Sequence, residues 1–259
     1  MLDKIIENKL VEVKTLKADQ KYSLSSLSEV EVDKRFFYDS LKLKIKSGKN
    51  AIIAELKKYS PSKGELNENL NIAEFAKLYE NAGASCISVL TDQKYFHGNT
   101  DDLITAKKSV KIPILRKDFI LDESQIIESK IIGADCILLI VACLSKLQFN
   151  ELLLFSKELD MDVLVEVHDR KELDIALESD CKIIGINNRN LKTFDVSIDT
   201  SLELCEIIKD DNIIVVSESG IKDIETIKKL NEKNIKSFLV GESLIKHSDP
   251  GLLLESLVG

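Results

Sequence analysis

Short apolar runs alternate with longer amphipathic stretches along most of the chain. Eight runs rich in Ile, Val and Leu follow residue 50 and are predicted as strands: Ala51–Glu55, Cys86–Leu90, Ile114–Leu115, Cys136–Ile140, Val163–Val167, Ile183–Ile186, Ile213–Val216 and Phe238–Val240. The runs are continuous rather than alternating, which is typical of parallel strands that are buried on both faces.

The stretches between these runs carry apolar residues at helical spacing. The predicted helices are Ile72–Ala82, Asp101–Ser109, Glu123–Ile132, Leu147–Leu159, Lys171–Leu177, Asp199–Lys209 and Ile224–Asn231. Asp122 and Asp223 stand where helix N-caps are expected. Gly83 and Gly133 follow helices, where a residue with positive φ is favoured.

Residues 1–48 precede the first strand and follow a different pattern. They predict a helix over Asp3–Lys17, a polar connector over Ser23–Ser28 and a second helix around Asp33–Ser47. No later segment repeats this arrangement. We therefore expect one domain over residues 1–259, in which residues 1–48 form an N-terminal helical extension.

Eight strands that alternate with helices predict an α/β fold, a (β/α)8 TIM barrel. The alternative is an open, doubly wound sheet. That fold expects a glycine-rich turn after its first strand, whereas the KYSPSKG segment contains no GxGxxG motif.

The first predicted strand ends in charged residues. Glu55 and Lys57 are two positions apart, so their side chains are expected on the same side of the strand. Burying an unpaired charge costs free energy, so two charged side chains at the end of a buried strand indicate that they have partners or a functional role there. Residues 60–64, with the sequence SPSKG, then form a turn. A buried strand that delivers charged groups to a loop is the layout of an active site.

Polar residues stand at nearly every predicted strand end, which is the active face of such a barrel. They are Glu55, Lys57, Thr91, Asp92, Arg116, Lys117, Asp118, Glu166, His168, Asn187, Asn188, Arg189, Ser217, Glu218, Ser219, Gly220, Gly241, Glu242 and Ser243. Taken singly, Lys117 has a structural explanation as a solvated strand end, and Asn187 and Arg189 as loop residues. The carboxylate of Glu166, inside VLVEV, needs partners. Charged groups of both signs can form ion pairs with one another if they meet at one end of the barrel, which favours an active site there.

Two glycine-containing turns follow the last two strands. Ser217–Gly220 precedes a helix, and Gly241–Ser243 leads into Leu244 and Ile245. Barrels of this kind often bind phosphate at these places through backbone N–H groups and a short helix N-terminus. Plain turn glycines are the alternative.

The formal net charge of −8 limits the classes of partner that the protein is expected to bind. It argues against a nucleic acid held through its phosphates. An anionic small molecule remains possible if cations gather at one site. The apolar runs are too short for a membrane helix and the N-terminus lacks a signal region, so we expect a cytoplasmic protein without a membrane partner.

The cysteines and histidines do not indicate a disulfide framework or a metal site. The five cysteines include no CxxC pair, so we expect reduced, packing cysteines. His97, His168 and His247 are scattered and show no metal-ligand spacing. No dinucleotide, Walker or nucleophile-elbow motif is present, and the pattern requires no metal or cofactor.

The sequence blocks at the strand ends resemble the indole-3-glycerol-phosphate synthase family of tryptophan biosynthesis. They are IIAELKKYSPSKG (52–64), SVLTDQKYFHG (88–98), IPILRKDFI (112–120), LLIVACLS (138–145), LVEVHD (164–169), IGINNRNL (184–191), VSESGI (216–221) and FLVGESL (238–244). They span the whole barrel in the family's order, and the helical extension is also a family trait. Sister barrels of the pathway share the fold and the phosphate site but are not expected to carry this set.

The resemblance implies a carboxy-lyase that needs no cofactor. It would convert 1-(2-carboxyphenylamino)-1-deoxyribulose 5-phosphate to indole-3-glycerol phosphate, closing a ring and releasing CO₂ and water. Lys117 would be the general acid that protonates the ketone oxygen. Glu166 would accept or relay a proton in the dehydration, assisted by Glu55, and Glu218 would orient the lysines.

The resemblance also implies binding roles. Lys57 and Arg189 would hold the substrate carboxylate, with Asn187 hydrogen-bonding nearby. The phosphate would be held by Ser219, Gly220, Gly241 and the backbone of Glu242. The aromatic ring would be edged by Ser60, Pro61, Phe96 and Leu138. Acid–base chemistry near neutral pH leads us to expect a lowered pKa for the catalytic lysine, caused by burial and neighbouring cations.

Two other functions stay open on the residues alone. Another phosphate-binding barrel enzyme, such as phosphoribosylanthranilate isomerase, would use a cysteine and an aspartate at strand ends, whereas the first strand here ends in Glu55 and Lys57. A non-catalytic barrel scaffold would show gaps among the charged strand-end groups. Association with other enzymes of tryptophan biosynthesis is a further possibility.

Overall fold

In the computed structural model, which describes residues 1–27, 33–191 and 193–259, the eight predicted strands are all present. They are β1 (Ala51–Leu56), β2 (Cys86–Leu90), β3 (Ile114–Lys117), β4 (Cys136–Ile140), β5 (Asp162–Val167), β6 (Ile183–Asn187), β7 (Ile214–Glu218) and β8 (Ser237–Val240). Several strands extend beyond the apolar segments that predicted them. Lys117, Asn187 and Glu218 are thus strand residues, which fixes their backbones within the ladder.

The strands form one closed parallel barrel in sequence order. β1 closes it by pairing with β2, where Glu55 is opposite Ser88, and with β8, where Ala54 is opposite Val240. Closure confirms the predicted (β/α)8 barrel and excludes the open sheet.

The helices of the barrel and its C-terminal end agree with most of the prediction. They are α4 (Ile72–Asn81), α5 (Gln93–Phe96), α6 (Thr100–Ser109), α7 (Glu123–Ile131), α8 (Lys146–Glu158), α9 (Arg170–Leu177), α10 (Asp199–Cys205), α11 (Ile224–Asn231), α12 (Glu242–Lys246) and α13 (Pro250–Val258). α10 ends before the predicted Lys209, because Ile207 and Ile208 donate to carbonyls three residues back and tighten the chain into turns. α5, α12 and α13 are not among the predicted helices, although Asp249 caps α13 and Pro250 stands in its first turn.

The predicted caps and turns are confirmed. Asp122 and Asp223 accept hydrogen bonds from the first turns of α7 and α11. Gly83 and Gly133 have φ of 91° and 92°. The SPSKG turn lies in a small hairpin whose two-residue strands are Tyr59–Ser60 and Gly64–Glu65.

The N-terminal segment departs from the prediction in two places. α1 spans Leu2–Ala18 as expected, but the supposed connector holds a short helix, α2 (Leu24–Leu27); its last predicted residue, Ser28, lies outside the described residues. α3 spans Phe37–Lys46 and begins later than Asp33. Phe36, directly before α3, is extended, and the Arg35 backbone N–H donates to Asp135, 2.9 Å away, rather than to a helical carbonyl.

Two apolar layers hold the barrel together. One lies between the strands and the surrounding helices, and the other fills the barrel interior with residues such as Ile53, Leu164 and Val216. Phe37 and Leu41 of α3 belong to the inner layer and are fully buried, so α3 covers one end of the barrel. The opposite end opens into a cavity at the carboxyl ends of the strands.

Two further expectations concern the cysteines and the membrane. Cys86, Cys136, Cys143, Cys181 and Cys205 are all free, as predicted. No helix in the described part of the chain has both the length and the apolar character needed to cross a bilayer.

Candidate active site

A cavity of about 450 Å³ opens at the carboxyl ends of the strands. Every residue that the sequence assigned to catalysis or binding lines it: Glu55, Lys57, Ser60, Pro61, Phe96, Lys117, Leu138, Glu166, Asn187, Arg189, Glu218, Ser219, Gly220, Gly241 and Glu242. The barrel therefore gathers side chains from distant segments at one mouth, as expected for the active face of this fold.

Lys57 and Glu55 form an ion pair at the end of β1. The Lys57 ammonium is 2.6 Å from Glu55 Oε1, which confirms that the two side chains face the same way. Glu55 is buried against Gly241, where an added Cβ would lie 2.6 Å from the same oxygen. Glycine at position 241 thus leaves the space that the Glu55 carboxylate occupies.

Lys117 lies between two carboxylates deep in the cavity. Its ammonium is 3.1 Å from Glu166 Oε2 and 3.5 Å from Glu218 Oε2. Burial alone would lower the pKa of Lys117, but Glu166, Glu218 and Glu55 outweigh it and raise this pKa above its ordinary value. The expectation of a lowered lysine pKa was wrong, because the groups nearest to Lys117 are carboxylates rather than cations.

Glu166 and Glu218 have opposite protonation preferences. Burial would raise the pKa of Glu166, but Lys117 and His168 outweigh it and hold that pKa below the usual range. Burial raises the pKa of Glu218 to about 8, with support from the charges of Glu166 and Glu55 and against the effect of Lys117. The two carboxyl groups also hydrogen-bond to each other, so one proton is shared and resides mainly on Glu218.

Gly185 in β6 makes room for Glu218. A Cβ on Gly185 would lie 2.0 Å from Glu218 Oε1 and 3.2 Å from the Leu164 side chain. No side chain fits there without moving the carboxylate. Gly185, within the IGINNRNL block (184–191), is therefore part of the site, although no local pattern indicates its contact with β7.

Asn187 and Arg189 line the cavity at and just after the end of β6. Asn187 accepts a hydrogen bond from the Arg189 backbone N–H, 3.0 Å away, and its side chain hydrogen-bonds Glu166. The Arg189 guanidinium donates to the Phe194 carbonyl at 3.3 Å and is 4.0 Å from Glu242 Oε2. Arg189 thus faces the mouth, where an anion can reach it.

The two glycine turns face the cavity from β7 and β8. Ser219 and Gly220 are both left-handed, with φ of 63° and 81°. Gly241 precedes α12, whose first residue is Glu242. The Glu242 carboxylate is 3.0 Å from Lys246 and 4.0 Å from Lys63, so cations surround the only acidic group of this turn.

The apolar wall is larger than the sequence indicated. Phe119, whose ring centroid is 6.2 Å from that of Phe96, lines the cavity beside the predicted Phe96, Pro61 and Leu138. The wall and rim also include residues to which the sequence assigned no catalytic or binding role: Met1, Leu2, Ile5, Ser62, Lys63, Leu90, Ile140, Leu191, Phe194, Val196, Ile221, Lys222, Leu239, Val240, Ser243 and Lys246. The apolar face of α1 was the signal for the first three, but the sequence did not place that helix.

Several polar strand-end residues do not line the cavity. Thr91 and Arg116 belong to a buried network around Asp118: the Thr91 hydroxyl donates to Asp118 at 2.5 Å, and the Arg116 guanidinium donates to it at 3.4 Å. Burial would raise the pKa of Asp118, but Lys9 and Arg116 lower it to about 2. This network supports the end of β3, where Lys117 is found.

Comparison with known proteins agrees with the geometry. A family model described as indole-3-glycerol phosphate synthase matches residues 2–257. An indole-3-glycerol phosphate synthase of Polaromonas sp. (strain JS666) is 45% identical over 260 residues, covering 100% of this chain and 98% of the relative. That of Bordetella pertussis is 46% identical over 261 residues, with the same two coverages.

Among solved structures, the α subunit of tryptophan synthase from Legionella pneumophila has the same fold. Its TM-score is 0.62 at 12% sequence identity, and the match covers 86% of this chain and 97% of that one. At this identity the likeness concerns the barrel alone. The match to the family model and the identity to its members over their full length establish that the chain belongs to the indole-3-glycerol phosphate synthase family.

Proposed function

We propose that the protein is a carboxy-lyase of tryptophan biosynthesis that converts 1-(2-carboxyphenylamino)-1-deoxyribulose 5-phosphate to indole-3-glycerol phosphate, CO₂ and water. The single observation that carries this proposal is the position of the Lys117 ammonium, between Glu166 and Glu218 in a cavity that also holds Lys57 and Arg189. Family membership gives the reaction, and the site has groups for each of its demands.

Lys117 is the general acid in this proposal. Its raised pKa means that the ammonium carries its proton at neutral pH before the substrate arrives. As the ring carbon attacks the ketone carbon, the developing charge on the ketone oxygen takes up this proton. Glu218, which is 3.5 Å away and protonated at neutral pH, is placed to return a proton to Lys117.

Glu166 is the proton acceptor of the later steps. Its carboxylate is ionised at neutral pH, as a base must be, and Lys117 and Asn187 hold it in place. Loss of CO₂ restores the aromatic electrons of the new ring. Glu166, with Glu55 assisting, then takes a proton from the new ring and relays a proton to the departing hydroxyl group, which leaves as water while the carboxylate is regenerated.

Two ends of the cavity bind the two anionic groups of the substrate. Lys57 and Arg189 hold the carboxylate through charge-assisted hydrogen bonds. The phosphate is held by the turns at Ser219, Gly220 and Gly241 and by the backbone of Glu242, since the Glu242 carboxylate itself would repel it. Ser60, Pro61, Phe96 and Leu138 pack against the aromatic ring between them.

We further propose that residues 1–259 act as one domain, with residues 1–48 as an extension that contributes to the site. The reaction as written needs no metal or organic cofactor. A cytoplasmic location and association with other enzymes of tryptophan biosynthesis are part of the same proposal.

The test uses two substrates in parallel. Purified protein is mixed with 1-(2-carboxyphenylamino)-1-deoxyribulose 5-phosphate and, separately, with phosphoribosylanthranilate, and products are separated by chromatography. The proposal predicts indole-3-glycerol phosphate from the first and no turnover of the second. Isomerisation of phosphoribosylanthranilate alone would favour the other barrel enzyme, and folded protein that is inactive on both would favour a scaffold.

A further inference from the structure

His168 is a buried histidine beside the cavity that the proposed reaction does not use. It follows β5, and its side chain is 11% exposed. It does not line the cavity but lies between two carboxylates, Glu166 of β5 and Glu172 of α9. Both ring nitrogens therefore face negative charge.

The start of α9 fixes one of these two carboxylates. Glu172 Oε2 accepts a hydrogen bond from the His168 backbone N–H at 2.8 Å and is 3.0 Å from His168 Nδ1. The N-cap residue Asp169 in turn accepts from the Glu172 backbone N–H at 3.0 Å. These contacts hold the Glu172 side chain against the ring and orient the imidazole.

The other ring nitrogen faces the site. His168 Nε2 is 3.2 Å from Glu166 Oε1, an ion-pair distance without the alignment of a good hydrogen bond. The second oxygen of Glu166 is 3.1 Å from the Lys117 ammonium. The Glu166 carboxylate therefore lies between two cationic groups, one inside the cavity and one behind it.

The charge on His168 follows from these neighbours. Burial alone would lower the pKa of the imidazole, but Glu166 and Glu172 outweigh it and raise this pKa to about 10. An imidazolium donates from both nitrogens, which suits a ring between two carboxylates.

The other polar groups around Glu166 come from different elements. They are Lys117 from β3, Glu218 from β7, Asn187 from β6 and the Cys143 thiol after β4. Burial and the charges of Glu166 and Glu172 raise the pKa of Cys143 to about 12, so this thiol is neutral. Among the described residues named here, only Lys117 and His168 bring positive charge to Glu166.

We propose that His168 is a positioning residue for the proposed reaction: its imidazolium, held by Glu172, fixes the Glu166 carboxylate and keeps it ionised, so that the proton shared with Glu218 resides on Glu218. The catalytic consequence rests on the proposed function, whereas the charge assignment does not. Without the imidazolium, Glu166 loses the positive charge that it faces on the side away from Lys117, and its surroundings become more like those of Glu218. The proton then moves toward Glu166, the group that must act as base.

The charge assignment is tested by nuclear magnetic resonance with ¹⁵N-labelled histidine. The His168→Asn variant identifies the His168 signals among those of the three histidines. In the wild type, His168 is expected to keep the imidazolium pattern through pH 8. In Glu172→Gln, which removes one carboxylate but keeps its shape, the midpoint should fall by about one pH unit or more, a tenfold loss of proton affinity. A neutral ring at pH 7.5 in the wild type, or an unchanged midpoint in Glu172→Gln, would overturn the proposal.

The catalytic consequence is tested by the pH dependence of kcat. His168→Asn and Glu172→Gln should lower kcat and move its acid limb to higher pH, because Glu166 then ionises less readily, with KM nearly unchanged. His247→Gln, at an exposed position, is the matched control and should leave the profile as it is. An unchanged acid limb in an active, folded His168→Asn protein would contradict the positioning role. Absence of synthase activity in the wild type would instead contradict the proposed function, while the resonance experiment still decides the charge on His168.

Discussion

The ammonium of Lys9 is 2.8 Å from a carboxylate oxygen of Asp118, the residue that follows Lys117 in the chain. The same ammonium is 3.0 Å from Asp92 at the end of β2, and Lys9 is only 3% exposed. One lysine of α1 thus ties the N-terminal helix to the ends of two barrel strands. Because Leu2 and Ile5 of that helix, and Met1 directly before it, line the cavity, this contact also holds one wall of the candidate site.

Replacing Lys9 is expected to be costly. Lys9→Met keeps the length of the side chain but leaves two buried carboxylates without their shared partner, which should lower the free energy of unfolding by about 3–5 kcal/mol. The matched control is Lys17→Met in the same helix, whose partner Asp122 forms an exposed pair expected to contribute about 0–1 kcal/mol. Urea unfolding measures both. Equal losses in the two variants would show that the buried contact does not anchor α1.

Gly185→Ala should impair catalysis by displacing Glu218. The new methyl group would lie 2.0 Å from Glu218 Oε1, so the carboxylate must leave its place beside Lys117. We expect kcat to fall by about 10²-fold, as misplacements of about 1 Å can cause. The control is Gly251→Ala in α13, where the added Cβ would be 3.1 Å from the flexible end of Leu78. If both variants retain the wild-type kcat, the position of Glu218 does not matter for the reaction.

Gly220→Ala should weaken binding of the phosphorylated substrate. The residue has φ of 81°, and its new Cβ would be 2.8 Å from Val196 Cγ1, so the turn must move. Loss of one charge-assisted hydrogen bond to phosphate would raise KM about tenfold. The control is Gly48→Ala, which has the same backbone strain because φ of Gly48 is 82°, but whose added Cβ would meet nothing within 4 Å. It should cost about 1 kcal/mol of stability and leave KM unchanged, whereas equal KM values in the two variants would argue against this phosphate site.

Glu218→Gln should change how stability depends on pH. The folded protein holds the proton of Glu218 up to about pH 8, whereas the unfolded chain loses it near the ordinary glutamate pKa. In that window the folded state binds more protons, so this group makes the wild type less stable as pH rises. Glutamine removes this contribution, and the stability of the variant relative to the wild type should increase between pH 5 and pH 8. Urea unfolding at both pH values measures this difference, and a flat or falling difference would contradict the raised pKa.

Physical reasoning from the sequence predicted the fold and the gathering of polar strand-end residues at one end of the barrel. Continuous apolar runs mark parallel strands, and a carboxylate within such a run, such as Glu55 or Glu166, marks a place where partners must exist. Because the carboxyl ends of all eight strands meet at one face, position along the chain was enough to gather these residues at one mouth.

The rest depended on contacts that no local pattern encodes. Lys9 looked like any charge on an amphipathic helix, and its partners Asp92 and Asp118 are far away in the chain. The pKa of Lys117 was predicted in the wrong direction because its sign is set by which groups surround the ammonium. Gly185 is needed only because Glu218 arrives from the next strand.

The role of Lys117 is tested by comparing wild-type protein with Lys117→Ala, with turnover and product affinity measured side by side. Formation of indole-3-glycerol phosphate is followed by its indole fluorescence, which the chain does not obscure because it contains no tryptophan. We expect the wild type to turn over 1-(2-carboxyphenylamino)-1-deoxyribulose 5-phosphate. We expect Lys117→Ala to bind the product with nearly unchanged affinity but to form none. A folded wild type without turnover, or a Lys117→Ala variant that works at the wild-type rate, would contradict the proposed role of Lys117.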